Sequence, residues 1–402
     1  MEYERYISSY ARSVKASEIR ELLKVVEKGQ VISLAGGLPD PATFPREEIA
    51  EIASYVIREL GDKALQYSPT KGVAPFLEAV REFSVRHGVK VAEDDDIIAT
   101  VGSQQSLYLL ALALLDPGDF VVAEEPTYLG MIQAFKARGA GFVTVPLDEQ
   151  GMQTHAAEER IKRAISEGKR VKLIYTVPTC HNPAGTTMPE DRRRHLLELA
   201  SRYDLLVIED DPYSFVTFEG ERPPSLKTLD SEGRVIYISS LSKILSPGLR
   251  LGWIIAPSQL VRRVELVKQA VDLHTPTLTQ YIASEAIKRG VIDRNIPKIR
   301  EVYRAKRDAM LQSLEENLAE YARWTKPVGG LFVWLWFNES INSRKLLDIA
   351  IRRGVAFVPG SAFYPLGGGE NTARLNYSYP APEQIREGIR RLAEAVREYL
   401  AL

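Results

Sequence analysis

Val171-Lys172-Leu173-Ile174-Tyr175-Thr176-Val177 and Leu205-Leu206-Val207-Ile208 are apolar runs too short for helices and continuous enough for strands buried on both faces. Ile97-Ile98-Ala99-Thr100-Val101 and Val235-Ile236-Tyr237-Ile238 read the same way. Amphipathic helical stretches separate these runs, so from about Asp96 to Pro257 strand alternates with helix. That pattern predicts a mainly parallel sheet covered on both faces. Each run is followed by polar residues, and in such a sheet ligands gather at strand ends.

Beyond roughly Gln280 the character changes. A long charged helical region leads to a strand over Leu331 to Phe337, a helix around Lys345 to Arg353, and strands near Val355 and Arg374. The last segment places Ile385, Ile389, Leu392, Val396 and Tyr399 on one helical face. At the other end, Ser17 to Glu27 predicts a helix with Ser17 as N-cap, and Leu34-Ala35-Gly36-Gly37-Leu38-Pro39 a loop after a short strand. The 402 residues exceed the usual size of a single core. We therefore expect an N-terminal helix and arm over 1–45, a large domain over 46–285 and a smaller α+β domain over 286–402.

Composition narrows the function. The 52 basic side chains are balanced by 53 acidic ones, which leaves no net field to attract nucleic acid or an anionic membrane. Cys180 is the single cysteine, so an intrachain disulfide is impossible and a reducing compartment is expected. The start, Met1-Glu2-Tyr3-Glu4-Arg5-Tyr6, has neither the basic nor the apolar region of a secretory signal. Runs such as Leu107 to Leu115 fall short of the ~20 residues that span a bilayer. The expected location is cytoplasmic. The histidines at 87, 155, 181, 195 and 274 lack paired metal-ligand spacings, so no metal is expected.

The chemistry begins at Ser239-Ser240-Leu241-Ser242-Lys243-Ile244-Leu245-Ser246-Pro247-Gly248-Leu249-Arg250. A lysine amine can form a Schiff base with a carbonyl, and Ser240, Ser242 and Arg250 can hold a phosphate, which suits a phosphorylated aldehyde such as pyridoxal phosphate. The same loop also reads as a solvated turn. Gly102-Ser103-Gln104-Gln105 stands between a strand and a helix, either as a phosphate site at a helix N-terminus or as a plain Ser N-cap. Asp210 closes a buried strand, where a carboxylate needs a positive partner such as a protonated pyridine nitrogen. Tyr213 and Asn182 can hydrogen-bond a phenolic oxygen on that ring, although Asn182-Pro183 can equally be only a turn. Tyr128, after Glu125-Pro126-Thr127, can lie on the ring face or belong to the core. Arg374, within a half-apolar strand, can grip an α-carboxylate bidentately or form a structural salt bridge.

These segments, together with Ser33 to Pro39 and Gln66-Tyr67-Ser68-Pro69, follow one another in an order that resembles the fold-type I pyridoxal-phosphate aminotransferases. The likeness is greatest to the subgroup of kynurenine/2-aminoadipate (LysN-like) and archaeal aromatic aminotransferases. It runs nearly end to end. The resemblance implies an α/β fold whose large domain holds a mainly parallel seven-stranded sheet between helices, beside a smaller α+β domain. It implies that Lys243 is the Schiff-base lysine, that Asp210 pairs with the pyridine nitrogen, and that Asn182 and Tyr213 hold the phenolic oxygen. Tyr128 would stack on the ring, and Ser103, Gln104, Ser240, Ser242 and Arg250 would cradle the phosphate. It further implies a homodimer in which Tyr67 reaches the neighbouring subunit's cofactor phosphate. Gly37 would meet substrate through its backbone, and the Ser17 to Glu27 helix would be a mobile lid.

The implied reaction is transamination between an L-amino acid and a 2-oxo acid, with 2-oxoglutarate the expected acceptor, in two half-reactions. Lys243 would move the Cα proton, Asp210 would keep the ring electron-poor, and Arg374 would read the shared carboxylate. Arg20 on the lid either pairs with a side-chain carboxylate of glutamate or aminoadipate or is a solvated helix charge. Leu38, Tyr67, Tyr128 and Tyr364 would give the pocket an apolar wall and broad specificity. A C–S or β-lyase can share the same lysine and aspartate. A ligand-sensing regulator is a third reading, against which stands the lack of a basic helix-turn-helix extension.

Overall fold

The computed structural model describes residues 3–8, 11–12 and 31–402, so Arg20 and the Ser17 to Glu27 segment lie outside the described residues. After β1 (Ile32–Ser33) the chain builds a sheet from β2 (Asp95–Thr100), β3 (Asp119–Glu125), β4 (Gly141–Asp148), β5 (Gly151–Met152), β6 (Arg170–Thr176), β7 (Leu206–Asp210), β8 (Val235–Ser240) and β9 (Gly252–Pro257). Their spatial order is β2-β9-β8-β7-β6-β3-β4-β5. The pairs β3·β4, β3·β6, β6·β7 and β7·β8 are parallel, and β9 runs antiparallel between β2 and β8. Among the described residues seven of these strands have five to eight residues; the two-residue β5 folds back on β4 as an edge hairpin. The sheet is therefore the expected seven strands plus that short eighth.

Alternation along each strand loads both faces. Val122, Val143, Ile174 and Val207 pack with Ile161 of helix Thr154–Ser166 and Leu196 and Leu199 of helix Glu190–Arg202. Val121, Ala123, Leu173, Tyr175 and Ile208 join the core on the other side, with Leu107 and Leu110 of helix Gly102–Leu114. Strand order reverses between β3 and β6. In open α/β sheets that reversal opens a crevice at the carboxyl ends of the strands.

The C-terminal part adds β10 (Ala322–Trp324), β11 (Phe332–Phe337), β12 (Val355–Ala356), β13 (Val358–Pro359) and β14 (Thr372–Asn376). A second sheet has the order β10-β11-β14-β13, while β12 pairs in parallel with β1. Helix Pro382–Leu400 buries Ile385, Ile389, Leu392 and Val396 against helices Val291–Leu318 and Ser343–Arg352. The β1 pairing continues as Leu34 N–H donating to the Ala356 carbonyl at 2.8 Å and Asn376 N–H to the Leu34 carbonyl at 2.8 Å. These bonds hold the Ala35–Gly37 backbone across from the large sheet.

Candidate active site

A cavity of about 260 Å³ opens at the carboxyl ends of β3, β6, β7 and β8. Asp210, the last residue of β7, is 2% exposed and borders it. Its Oδ2 accepts from Tyr175 Oη at 2.8 Å, whereas its buried Oδ1 has no partner. Burial raises its pKa to about 7; the Tyr175 hydrogen bond lowers it and neighbouring Asp211 raises it further. A buried carboxyl that borders a cavity and keeps one oxygen without a partner suits a cationic ring nitrogen.

Across the cavity Lys243 Nζ donates to the Gly37 carbonyl at 2.7 Å. Loss of hydration, then the cations Arg374 and Arg250, lower this amine to about 8, so a neutral minority is present near neutral pH, far larger than for an ordinary lysine. The loop that carries it follows β8 directly, and Ser240 and Ser242 line the same wall. Arg250 adopts φ 50° after a short 3₁₀ turn and donates to the Val101 carbonyl at 3.2 Å and the Pro247 carbonyl at 3.4 Å. Its guanidinium thereby lies at the start of helix Gly102–Leu114. A Cβ on Gly102, whose φ is +73°, would stand 2.7 Å from Arg250 Nη2, so the close approach requires glycine.

Val101, and not Ser103, occupies the N-cap of that helix, with no side-chain capping bond. Ser103 instead lines the cavity beside Gln104. Gln104 Nε2 donates to the Gly130 carbonyl at 3.0 Å and its Oε1 accepts from Tyr128 Oη at 3.2 Å, which fixes the tyrosine at the cavity wall. The helix start, the four side chains of Ser103, Gln104, Ser240 and Ser242 and the Arg250 guanidinium have the chemistry to cradle a phosphate dianion.

Asn182 lies in the turn after β6, where Gly185 N–H donates to the His181 carbonyl at 2.6 Å. It is a turn whose side chain is engaged: Nδ2 donates to Tyr213 Oη at 3.2 Å and Oδ1 accepts from Arg374 Nη1 at 2.9 Å. Arg374 Nη2 donates to the Ala35 carbonyl at 2.9 Å, and its buried Nε has no partner. The guanidinium is sandwiched between Phe332, 4.2 Å from its ring centroid, and Phe363, 5.0 Å away. Among the described residues no carboxylate pairs with it, so the salt-bridge alternative has no partner here, and burial lowers its pKa to about 10. A buried arginine bordering a cavity, with no carboxylate partner among the described residues, has the chemistry to receive a carboxylate.

Twelve of the residues named from the sequence thus border one cavity: Gly37, Ser103, Gln104, Tyr128, Asn182, Asp210, Tyr213, Ser240, Ser242, Lys243, Arg250 and Arg374. Tyr67 does not; it is 79% exposed, edge-on to His274 at 5.7 Å. Leu38 is 42% exposed and outside the wall, and its carbonyl accepts from Ser378 Oγ at 2.7 Å. Tyr364 packs on Trp334 at 6.5 Å and also lies off the wall. Sequence reasoning missed Phe332, Val177, Pro212 and Pro247 on the wall and Tyr175 behind it. Their apolar neighbours gave no signal to separate them from core.

The model of the aminotransferase class I and II family matches residues 30–392. An aromatic-amino-acid aminotransferase of Thermococcus litoralis is 49% identical over 399 residues, covering 99% of this chain and 95% of that one. The crystal structure of Pyrococcus horikoshii kynurenine aminotransferase, in complex with PMP, superposes with a TM-score of 0.97 at 47% identity, covering 99% of this chain and 98% of that one. LysN, the α-aminoadipate aminotransferase of Thermus thermophilus, complexed with N-(5′-phosphopyridoxyl)-L-leucine, gives 0.91 at 41% identity, with both chains fully covered. A lysine, an aspartate with one open oxygen, a phosphate cradle and a carboxylate receptor around one cavity are what such a cofactor needs, and the chain belongs to the class I and II aminotransferases, enzymes that transfer amino groups with pyridoxal phosphate.

Proposed function

We propose that this enzyme moves an amino group between 2-oxoglutarate and a broad set of L-amino acids: 2-aminoadipate, aromatic, glutamate and leucine-like. The observation that carries the reading is the convergence of the Lys243 amine, the open oxygen of Asp210 and the Arg374 guanidinium on one cavity. The wall offers Tyr128 and Phe332 to apolar side chains, and the names of the relatives span aromatic, kynurenine and aminoadipate donors.

Pyridoxal phosphate, when bound, supplies an electrophilic carbon and a sink for the electrons of the substrate's Cα–H bond. Arg374 binds the α-carboxylate, with Asn182 bracing its Nη1 and the Ala35 carbonyl its Nη2, so both substrates share one anchor. Lys243 would be the group that takes the substrate's Cα proton and carries it for return. Its depressed pKa suits both acts near neutral pH. Asp210 would hold a proton on the ring nitrogen, and Asn182 and Tyr213 would orient the phenolic oxygen. Ser103, Gln104, Ser240, Ser242 and Arg250 would anchor the phosphate, and Tyr128 would lie against the ring. Gly37, whose carbonyl accepts from Lys243, meets the substrate through its backbone.

Among the described residues lining the cavity, the cations are Lys243, Arg250 and Arg374, each with a task already. A distal carboxylate therefore needs a further cation, which we assign to Arg20. Exposed Tyr67, with Leu65 and Leu273 also exposed, supports a homodimer in which Tyr67 serves the partner's phosphate site. Sedimentation at twice 45.0 kDa tests this assembly. No helix among the described residues is long and apolar enough to cross a membrane, and we assign the enzyme to the cytoplasm.

The function is tested by supplying each donor with 2-oxoglutarate and measuring glutamate. Glutamate from aminoadipate, tyrosine and leucine is expected. Pyruvate and ammonia formed from a sulfur amino acid without any acceptor would instead assign a lyase.

A further inference from the structure

The two oxygens of Asp210 have different surroundings. Asp210 borders the cavity; its Oδ1 is buried and without a partner, whereas Oδ2 accepts from Tyr175 Oη at 2.8 Å. Tyr175 lies on β6 opposite Ile208 of β7, two positions before Asp210. The two side chains are therefore diagonal neighbours on one face, within reach of a long residue. Tyr175 is fully buried, and Phe135 meets its ring edge-on at 6.2 Å. Both partners stand on central, parallel-paired strands, so the contact is built into the sheet.

The phenol has a single role open to it. Burial, then the neighbouring carboxyls Asp210 and Glu124, hold it neutral, so it donates. The adjacent Asp211 does not compete for it: its Oδ2 already accepts from Ser214 Oγ at 2.7 Å and Tyr237 Oη at 2.9 Å. A hydrogen bond given to a carboxylate favours the charged form.

Resting on the assignment of Asp210 to the ring nitrogen, we propose that Tyr175 is a positioning residue of transamination. Its hydroxyl pins Oδ2 so that Oδ1 faces the nitrogen, and it keeps the proton between them on the nitrogen by stabilising the carboxylate. One proton is shared by two sites, and Tyr175 sets which site holds it.

Holoenzyme reconstituted with ¹⁵N-labelled pyridoxal phosphate tests this through the ring nitrogen resonance. In Tyr175→Phe the resonance moves toward the unprotonated position and kcat falls about 10- to 100-fold, the effect of one hydrogen bond to a charged group, while KM changes little. Asp210→Asn moves the resonance at least as far. Adding Tyr175→Phe to Asp210→Asn then has no further effect, because Tyr175 acts through that carboxylate. A wild-type resonance in Tyr175→Phe, with a shifted one in Asp210→Asn, overturns the proposal alone. An unshifted resonance in Asp210→Asn overturns the assignment of Asp210 beneath it. Should Tyr175→Phe not fold, the wild-type holoenzyme still decides: a slowly exchanging Tyr175 hydroxyl proton is expected, and its absence removes the hydrogen bond on which the proposal stands.

Discussion

At the scale of single residues, buried carboxyls make the cofactor-free protein sensitive to pH. Asp210 titrates near 3.8 in an unfolded chain and is pushed up to about 7 by burial in the fold. Between those values the folded protein holds a proton that the unfolded chain has lost, so stability falls as pH rises through the window. Glu124 and Glu209, each raised to about 7 by burial, act in the same direction. Thermal unfolding of the cofactor-free protein between about pH 5 and about pH 8 should show Tm falling, with a shallower fall in Asp210→Asn. An identical slope in that variant would remove Asp210 from the account. The sequence made Asp210 readable because a carboxylate ending an apolar run is costly without a partner. It hid Tyr175, whose hydroxyl partner lies 35 residues away and whose neighbours are core.

Among elements, the site depends on how a strand end, a turn and a helix start are held together. Gly102 joins β2 to its helix, and Gly252 opens β9 where a Cβ would stand 2.8 Å from the Gly102 carbonyl carbon and the Ser239 carbonyl oxygen. Small residues at both positions let the helix start sit against the Arg250 turn. In Gly102→Ala the methyl group must displace the Arg250 guanidinium, and the left-handed backbone adds about 1 kcal/mol of strain. Equilibrium titration with pyridoxal phosphate should give a Kd raised by about 10-fold, the equivalent of losing roughly one charged hydrogen bond. An unchanged Kd would mean that Arg250 does not hold the phosphate. The strands were legible from continuous apolar runs, and their polar ends marked the site. Two things were not: that β9 runs antiparallel between β2 and β8, and that β5 adds an edge. Strand direction and hairpin closure follow from connection geometry, which leaves no trace in an apolar run.

At the scale of the whole molecule, we propose that residues 46–285 and 286–402 act as two domains, with the cavity floor in the first and Arg374 contributed by the second. The β1–β12 pairing and the Ala35 carbonyl then tie residues 32–35 to the second domain. In the proposed mechanism substrate is held between Lys243 and Arg374, which are separated by 131 positions in sequence. No local pattern announces that meeting; the order of motifs along the chain did. Transamination in this cavity is checked by mixing the holoenzyme with one amino acid and no oxo acid. The account predicts that 2-aminoadipate, tyrosine, glutamate and leucine each convert the bound cofactor's pyridoxal absorption to that of pyridoxamine phosphate, and that Lys243→Ala slows this by at least about 10³-fold. Persistence of the pyridoxal absorption with every amino acid tested would contradict it.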